Sequence, residues 1–263
     1  MHQRQLDAPA RKRRLAERTG SSNVAATTVD RLVSPPFTVI IPALDEEPVL
    51  FETIAHLNGF RQVDEVIVVD GGSRDATVQV AEAAGARVLR ASRGRGPQMN
   101  AGARAAQHGH LMFLHADCRL PPDAFRCIEE VFAGGHDAGL FAIDFGSPHV
   151  VLRTMSKLSR WSTPWTQFGE AALFMSRRLF DAVGGFPDWP LMEDVEMLRR
   201  LRRRSQLARA RGTVQASPRR FLENGIWRQT LRNFWCYTLF QLGMPPSKLV
   251  DRYAGKSVAS LNG

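Results

Sequence analysis

Three acidic residues, Glu46, Asp70 and Asp117, each follow a short apolar run that predicts a buried β-strand. In α/β sheets with parallel strands, ligands bind outside the carboxyl ends of the strands, so we expect these side chains to converge. Carboxylates accept hydrogen bonds from the hydroxyl and N–H groups of a nucleoside. Asp117 can also hold the hard divalent cation that a diphosphate needs. The spacing therefore predicts a nucleotide-binding site with a metal ion.

A second acidic pair, Glu193-Asp194, opens a predicted helix further along the chain. Such a pair can act as a general base that takes the proton of an attacking hydroxyl group. Acidic residues in a first helical turn also interact favourably with the helix dipole, and this simpler role stays open. Arg219 and Arg220 follow, and guanidinium groups suit a departing diphosphate.

The basic, glycine-rich segment Arg93–Asn100 precedes another predicted helix, where Arg95 can lie beside a phosphate group. The sequence has no GxGxxG directly after a predicted strand and no GxxxxGK[ST] motif. Their absence argues against a dinucleotide-dependent dehydrogenase and against a P-loop NTPase.

Strands and helices alternate in the first half of the chain, which predicts an α/β fold with a mostly parallel sheet flanked by helices. Strands are predicted at Phe37–Ile41, Glu65–Val69, Ala86–Leu89, Leu111–Leu114, Leu140–Phe145 and Ala172–Met175. Helices are predicted at Glu46–Leu57, Asp75–Ala84 with Ser73 as its N-cap, Gln98–Gln107, Pro121–Ala133, Val195–Arg204 and Trp227–Leu242.

The 263 residues suffice for one sizeable domain. We expect a disordered basic tail over 1–36, a nucleotide-binding domain over 37–222, and a C-terminal amphipathic helical extension over 223–263. Three scattered cysteines and a polar N-terminus predict a reduced, cytoplasmic setting.

The net charge of +9 is unevenly distributed, because residues 199–232 hold eleven arginines and one acid, Glu223. This pattern favours a local anionic site or membrane contact over a nucleic-acid-binding coat, since the predicted strand-end site is acidic. The aromatic stretch 227–242 is either core packing or a helix lying on the inner face of a membrane, aided by Arg228 and Arg232.

Taken together, the motifs resemble glycosyltransferase family 2, and within it the small subgroup linked to arsenosugar biosynthesis. The resemblance spans Thr38 to Tyr253. It rests on PALDEE (42–47), VVDGGSRDAT (68–77), GRGPQMNAGARAA (94–106), FLHAD (113–117), GGFPDWPLMEDVEMLRRL (184–201) and SPRR (217–220).

This resemblance implies a GT-A fold and an inverting transfer of a sugar from a nucleotide-diphosphate donor, often UDP-linked, to a small-molecule or lipid-like hydroxyl acceptor. It implies a Mn²⁺ or Mg²⁺ ion held by Asp117 and His115, and Asp194 as the base with Glu193 beside it. The implied donor-binding residues are Pro42, Ala43, Glu46, Asp70, Gly72, Arg95, Gln98, Asn100, His115, Ala116, Arg219 and Arg220.

The sequence departs from the family pattern at three places. His115 replaces one metal-binding carboxylate, and imidazole binds Mn²⁺ but binds Mg²⁺ poorly. Asp45 stands where asparagine is usual, and the segment around Phe168 and Glu170 lacks the amide of the subgroup's Gly-Asp-Gln.

Two other function classes stay open. A sugar-nucleotide nucleotidyltransferase would need a glycine-rich, basic loop after the first strand, where PALDEE stands instead. The other alternative is a non-catalytic module that binds an anionic surface, either membrane or nucleic acid; the charge distribution argues against nucleic acid.

Overall fold

A computed structural model of the chain describes residues 35–161 and 172–253. The predicted tail lies outside these residues except for Pro35 and Pro36, and so does the segment around Phe168 and Glu170.

Eight strands in the described residues form one sheet. They are β1 (Phe37–Ala43), β2 (Val63–Asp70), β3 (Arg87–Arg90), β4 (His110–Leu114), β5 (Cys118–Arg119), β6 (Ala138–Asp144), β7 (Ala172–Ser176) and β8 (Ala208–Ala216). Their order is β3-β2-β1-β4-β7-β6-β8-β5. The pairs β2–β3, β1–β2, β1–β4 and β6–β8 are parallel, whereas β7 runs antiparallel to both neighbours and β5 antiparallel to β8. The predicted mostly parallel sheet is confirmed.

Helices connect and cover these strands. They are α1 (Glu47–Leu57), α2 (Thr77–Ala83), α3 (Arg95–Ala105), α4 (Ala124–Ala133), α5 (Val150–Leu158), α6 (Arg177–Val183), α7 (Glu193–Arg204), α8 (Arg219–Asn224), α9 (Ile226–Gln241) and α10 (Pro246–Tyr253). Helices α8 to α10 lie in the C-terminal part of the described chain, and the predicted start of a C-terminal extension at residue 223 falls inside α8. No helix in this described part is both long and apolar enough to cross a bilayer.

The sheet separates two apolar cores, and β1 contributes to both because successive side chains of a strand point to opposite faces. Val39 and Ile41 pack in the core that contains Ile54 of α1. Ile40 packs in the core that contains Met99 of α3. A strand buried on both faces is therefore mostly apolar, which is the pattern that made β1 predictable; the hydroxyl of its buried Thr38 donates to Glu65 Oε2 at 2.7 Å.

The structure corrects several sequence predictions. Ser73 is not the N-cap of α2, which begins at Thr77; the Ser73 hydroxyl instead accepts a hydrogen bond from the Asp45 backbone N–H at 3.0 Å. Strands β5 and β8 and helices α5, α6, α8 and α10 were not predicted. The ends of the predicted elements shift by a few residues, and α7 already includes Glu193 and Asp194.

Candidate functional site

A cleft of about 240 Å³ opens at the carboxyl ends of β1 and β4. Eight of the predicted site residues line it: Pro42, Glu46, Arg95, His115, Ala116, Asp117, Asp194 and Arg220. Residues from distant stretches of the chain thus meet at the sheet edge where α/β proteins bind ligands. In particular, Asp117 and Asp194 share one cleft.

Arg95, the first residue of α3, connects the two acidic parts of the cleft. Its Nε donates to Glu193 Oε1 at 2.6 Å, and its Nη2 lies 3.5 Å from Asp194 Oδ2. Its Nη1 lies 3.3 Å from His115 Nε2. One guanidinium therefore contacts the predicted metal-binding triplet and both acids of the predicted base.

The position of Arg95 depends on tight packing between α3 and the loop before α7. Asn100 Nδ2 donates to the Phe186 carbonyl at 2.9 Å, and the Phe186 N–H donates to Asn100 Oδ1 at 2.9 Å. A Cβ on Gly96 would lie 2.3 Å from the Pro187 carbonyl oxygen, so only glycine fits there. The Asn100 side chain, predicted to contact the donor, is instead engaged with this loop.

The buried Gln98 side chain ties together the ends of β1 and β2. Its Nε2 donates to the Ala43 carbonyl at 2.8 Å and to the Val69 carbonyl at 2.6 Å. Neither Gln98 nor Ala43 is among the residues that line the cleft. The structure therefore gives both residues a role in positioning the strand ends.

Asp70 and Gly72 also lie outside the cleft lining, at the neighbouring strand end. The Asp70 carboxylate accepts hydrogen bonds from the N–H groups of Gly72 and Ser73 at 3.2 and 2.9 Å. Burial alone would raise the pKa of Asp70, but the hydrogen bonds from Ser73 and Gly72 outweigh it and the pKa is lowered. Asp70 is thus an ionised carboxylate that closes a turn in which Gly72 has a φ of +94°.

The triplet His115-Ala-Asp117 is held by its backbone. Thr53 Oγ1 donates to the Ala116 carbonyl at 2.6 Å, and the Ser217 N–H donates to the Asp117 carbonyl at 3.2 Å. Candidate ligand atoms of His115, Asp117 and Cys118 all lie within 4.8 Å of one another. The fold therefore brings a nitrogen, an oxygen and a sulfur atom close enough together to hold one metal ion.

The protonation states of these three groups differ. Burial, with the charges of Arg95 and Arg220, lowers the pKa of His115 to about 3, so its ring is neutral. Burial and the charge of Asp117 raise the pKa of Cys118 well above its usual value, and its thiol donates to Asp117 Oδ1 at 3.6 Å. A neutral imidazole and a carboxylate can bind a borderline divalent ion as they stand, whereas the Cys118 thiol would first have to lose its proton.

The two arginines at the start of α8 have different surroundings. Arg219 Nη2 pairs with Glu46 Oε2 at 2.5 Å. Burial raises the pKa of Glu46, although Arg219 opposes this. Arg220 is exposed, lines the cleft and has no carboxylate within ion-pair distance in the described part of the chain. Its guanidinium is therefore available to an anionic ligand.

Glu193 and Asp194, the two acids predicted to supply the general base, also have different surroundings. Glu193 is 1% exposed, and its raised pKa comes from burial, which Arg95 opposes and the nearby charge of Asp194 reinforces. The Asp194 side chain is 14% exposed and lines the cleft, and its Oδ1 accepts the Val195 N–H at 2.8 Å. Asp194 can thus meet an incoming ligand, whereas Glu193 holds Arg95.

The far wall of the cleft was not predicted from the sequence. It is apolar around Ile143, Phe145 and Met155, and polar where α9 contributes the amides of Gln229 and Asn233. Their sequence neighbourhoods carry no motif, and only the tertiary fold brings them to the site.

Known proteins share this architecture. The family model described as "Glycosyl transferase family 2" matches residues 38–185. Glucosyl-3-phosphoglycerate synthase from Mycobacterium tuberculosis, solved with Mn²⁺, UDP and glucosyl-3-phosphoglycerate, is 21% identical over 81% of this chain and 82% of that chain, with a TM-score of 0.57. A mannosyltransferase from Pyrobaculum calidifontis, solved with GDP-Man and Mn²⁺, is 19% identical over 84% and 68%, with a TM-score of 0.57. S. aureus TarS, solved with UDP-GlcNAc, is 18% identical over 69% and 58%, with a TM-score of 0.58. The predicted GT-A fold is confirmed.

Proposed function

Because the chain belongs to glycosyltransferase family 2, we propose that it transfers a hexose, with inversion, from a nucleotide-diphosphate donor to a hydroxyl acceptor in the cleft. One observation carries the proposal: Arg95 joins the triplet that contains Asp117 to the acidic pair that contains Asp194. Groups for the diphosphate and for the acceptor proton thus lie on either side of one reaction space. A UDP-linked sugar is the donor that we expect.

Asp117 and His115 would hold a divalent ion, which when bound would neutralise the charge of the diphosphate. The neutral ring and the carboxylate favour Mn²⁺ over Mg²⁺, because imidazole is a poor ligand for Mg²⁺. Arg220 would bind the diphosphate directly, and Glu46 would keep Arg219 close by. Similar folds have been solved with Mn²⁺ or Mg²⁺ beside a nucleotide, which supports this assignment.

The reaction itself is a single displacement. Asp194 takes the proton of the acceptor hydroxyl while the acceptor oxygen forms a bond to the anomeric carbon of the sugar. The bond from that carbon to the diphosphate oxygen breaks, and the nucleoside diphosphate leaves with the electron pair beside Arg220. Attack from the face opposite the leaving group inverts the anomeric centre.

The acceptor would occupy the far wall of the cleft. Its apolar surface around Phe145 and Met155 would contact carbon atoms, while the amide of Asn233, held by the buried Gln229 through a 2.7 Å hydrogen bond, would orient hydroxyl groups. A small molecule or a lipid-like alcohol fits this chemistry. The C-terminal extension would then be part of the catalytic unit, since Asn233 belongs to α9.

Asp194→Asn tests the base. We expect turnover to fall by about 10²- to 10⁴-fold, which is the usual contribution of a general base, while donor affinity stays within about twofold. Asp188→Asn is the matched control, because Asp188 is an exposed acid in the same loop. Nucleoside diphosphate release measures turnover, and calorimetry with Mn²⁺ measures donor affinity. Near-normal turnover of the Asp194 variant would remove that residue from the mechanism.

Asp117→Ala tests the metal site separately. We expect Mn²⁺ to strengthen donor binding to the native protein and to lose this effect in the variant. Donor affinity that is the same with and without Mn²⁺ in the native protein would contradict the metal assignment.

We also propose membership of the subgroup linked to arsenosugar biosynthesis. The support is the motif order from GRGPQMNAGARAA to SPRR in the sequence. An acceptor screen that includes hydroxyl compounds bearing methylated arsenic tests it, and transfer to other acceptors alone would count against it.

A further inference from the structure

Helix α9 exposes one face of large apolar side chains. Trp227, Leu231, Phe234, Trp235 and Leu242, just after its end, are 55–77% exposed. Their spacing of three, four and seven residues puts them on one side of the helix. The opposite side is buried through Gln229, Cys236, Tyr237 and Phe240. Several large apolar side chains exposed side by side mark an interaction site.

The neighbouring helix α5 extends this surface. Val150, Leu158 and Trp161 are 66%, 40% and 66% exposed. Helix α5 packs against α9, and the rings of His149 and Trp227 lie 6.4 Å apart. We name the exposed residues of 150–161 and 226–242 the α5–α9 surface.

The charges of this surface have one sign. Residues 150–161 hold the exposed cations Arg153, Lys157 and Arg160 without an acid. Residues 226–242 also hold no acid; their Arg228 is exposed, whereas the half-buried Arg232 donates to Gln229 Oε1. Exposed tryptophan and leucine beside arginine and lysine are the composition of helices that lie in the interface of an anionic bilayer.

We propose that the α5–α9 surface docks on an anionic lipid bilayer. A second copy of the chain fits less well, because a two-fold symmetric contact would bring together two copies of a surface that carries cations and no carboxylate. An anionic lipid surface instead supplies negative charge to the cations and an apolar layer to Trp227, Leu231 and Trp235.

Docking would also position the cleft. Met155 of α5 and Gln229 and Asn233 of α9 line the cleft, while exposed residues of the same two helices form the docking surface. The cleft would therefore lie beside the headgroup layer, where an acceptor hydroxyl on a lipid can enter. Only this last step rests on the proposed function, because bilayer binding can be measured without any transfer reaction.

Co-sedimentation of the full chain with vesicles tests the proposal. We expect binding to vesicles of equal parts phosphatidylglycerol and phosphatidylcholine, and much weaker binding to phosphatidylcholine alone. Replacing Arg153, Lys157 and Arg228 by glutamine should weaken binding by about fivefold per residue, the equivalent of about 1 kcal/mol each. Leu231→Ser with Trp235→Ser should weaken it on the order of a hundredfold, because two side chains lose their burial.

Matched controls lie on other faces. Phe51→Ser removes an apolar side chain that is 53% exposed on α1, and Arg178→Gln removes an exposed cation on α6. Both variants should bind vesicles like the native chain. Circular dichroism confirms that each variant is folded.

Three results would overturn the proposal. The first is a native protein that does not bind anionic vesicles. The second is a Leu231→Ser/Trp235→Ser variant that binds these vesicles as tightly as the native chain. The third is a native dimer that dissociates in the same double variant and does not bind vesicles, which would identify a second copy as the partner.

Discussion

Replacing Arg95 by methionine should destabilise the protein in a way that depends on pH. The variant keeps the apolar stem of the side chain and removes the guanidinium that contacts Glu193 Oε1 at 2.6 Å. Glu193 is 1% exposed, so its carboxylate would be left buried without this partner. Breaking a buried ion pair by removing one partner costs about 3–5 kcal/mol.

Protonation of Glu193 limits this cost. The glutamate can take up a proton in the folded protein at about 1.4 kcal/mol for each pH unit above its ordinary pKa of 4.5. The electrostatic loss is therefore at most about 3.4 kcal/mol at pH 7 and about 1.4 kcal/mol at pH 5.5. The sign follows from the raised pKa of the folded state: the folded variant binds more protons, so its stability falls as pH rises from 4.5 towards that pKa.

Urea unfolding at pH 5.5 and pH 7, followed by circular dichroism, measures both values. The second substitution Glu193→Gln in the Arg95→Met background should recover at least half of the loss at pH 7, because it replaces the isolated carboxylate by a neutral amide. An equal loss at both pH values, or no recovery in the double variant, would refute the claim that Arg95 compensates the charge of Glu193.

Two further predictions concern the loop packing and the metal site. Gly96→Ala places a Cβ 2.3 Å from the Pro187 carbonyl, so we expect a loss of about 1–3 kcal/mol and a fall in transfer of about a hundredfold. Gly109→Ala, where a Cβ meets no heavy atom within 4 Å, should change neither urea unfolding nor transfer. His115→Asp should raise the ratio of turnover with Mg²⁺ to turnover with Mn²⁺ by about tenfold or more, because a hard oxygen ligand replaces imidazole. An unchanged ratio in nucleoside diphosphate release assays would remove His115 from the metal site.

The parallel half of the sheet was predictable because its strands are buried on both faces. Leu111–Leu114 is a continuous apolar run, Phe37–Ile41 is apolar except for the buried Thr38, and both belong to observed strands. The motifs that follow these runs supplied five of the eight predicted residues that line the cleft, Pro42, Glu46, His115, Ala116 and Asp117, since strand ends of one sheet edge must converge.

The second half was harder to predict because its signals are weak or long-range. Strand β8, Ala208–Ala216, alternates small or apolar residues with polar ones, and is only partly buried. Because most of its inward positions are alanine or glycine, the alternation of hydropathy is weak, and no strand was predicted there. The pairing of β8 with β6 and β5 joins residues that are far apart in the sequence, and no local sequence pattern predicts such pairing.

The roles of single site residues were the least predictable, because they depend on which hydrogen bonds are already made. Gln98 and Asn100 look like ligand-binding amides in the sequence, yet both bind backbone groups of the chain itself. Their hydrogen bonds hold α3, and with it Arg95, in place. The sequence alone does not show which of its amides lie close enough to backbone groups to make such bonds.

Backbone strain lies next to both acidic parts of the cleft. Among the described residues, the non-glycine residues with positive φ are Asp45, at 55°, and Met192, at 66°. They directly precede Glu46 and Glu193, and a left-handed conformation of such a residue costs on the order of 1 kcal/mol. Asp45 recovers part of this cost, because its Oδ1 accepts the Arg74 N–H at 2.8 Å. The turns at Asp45 and Met192 both bring acidic residues to the cleft that Arg95 also lines. The backbone strain therefore occurs where it positions charged side chains that can meet a ligand.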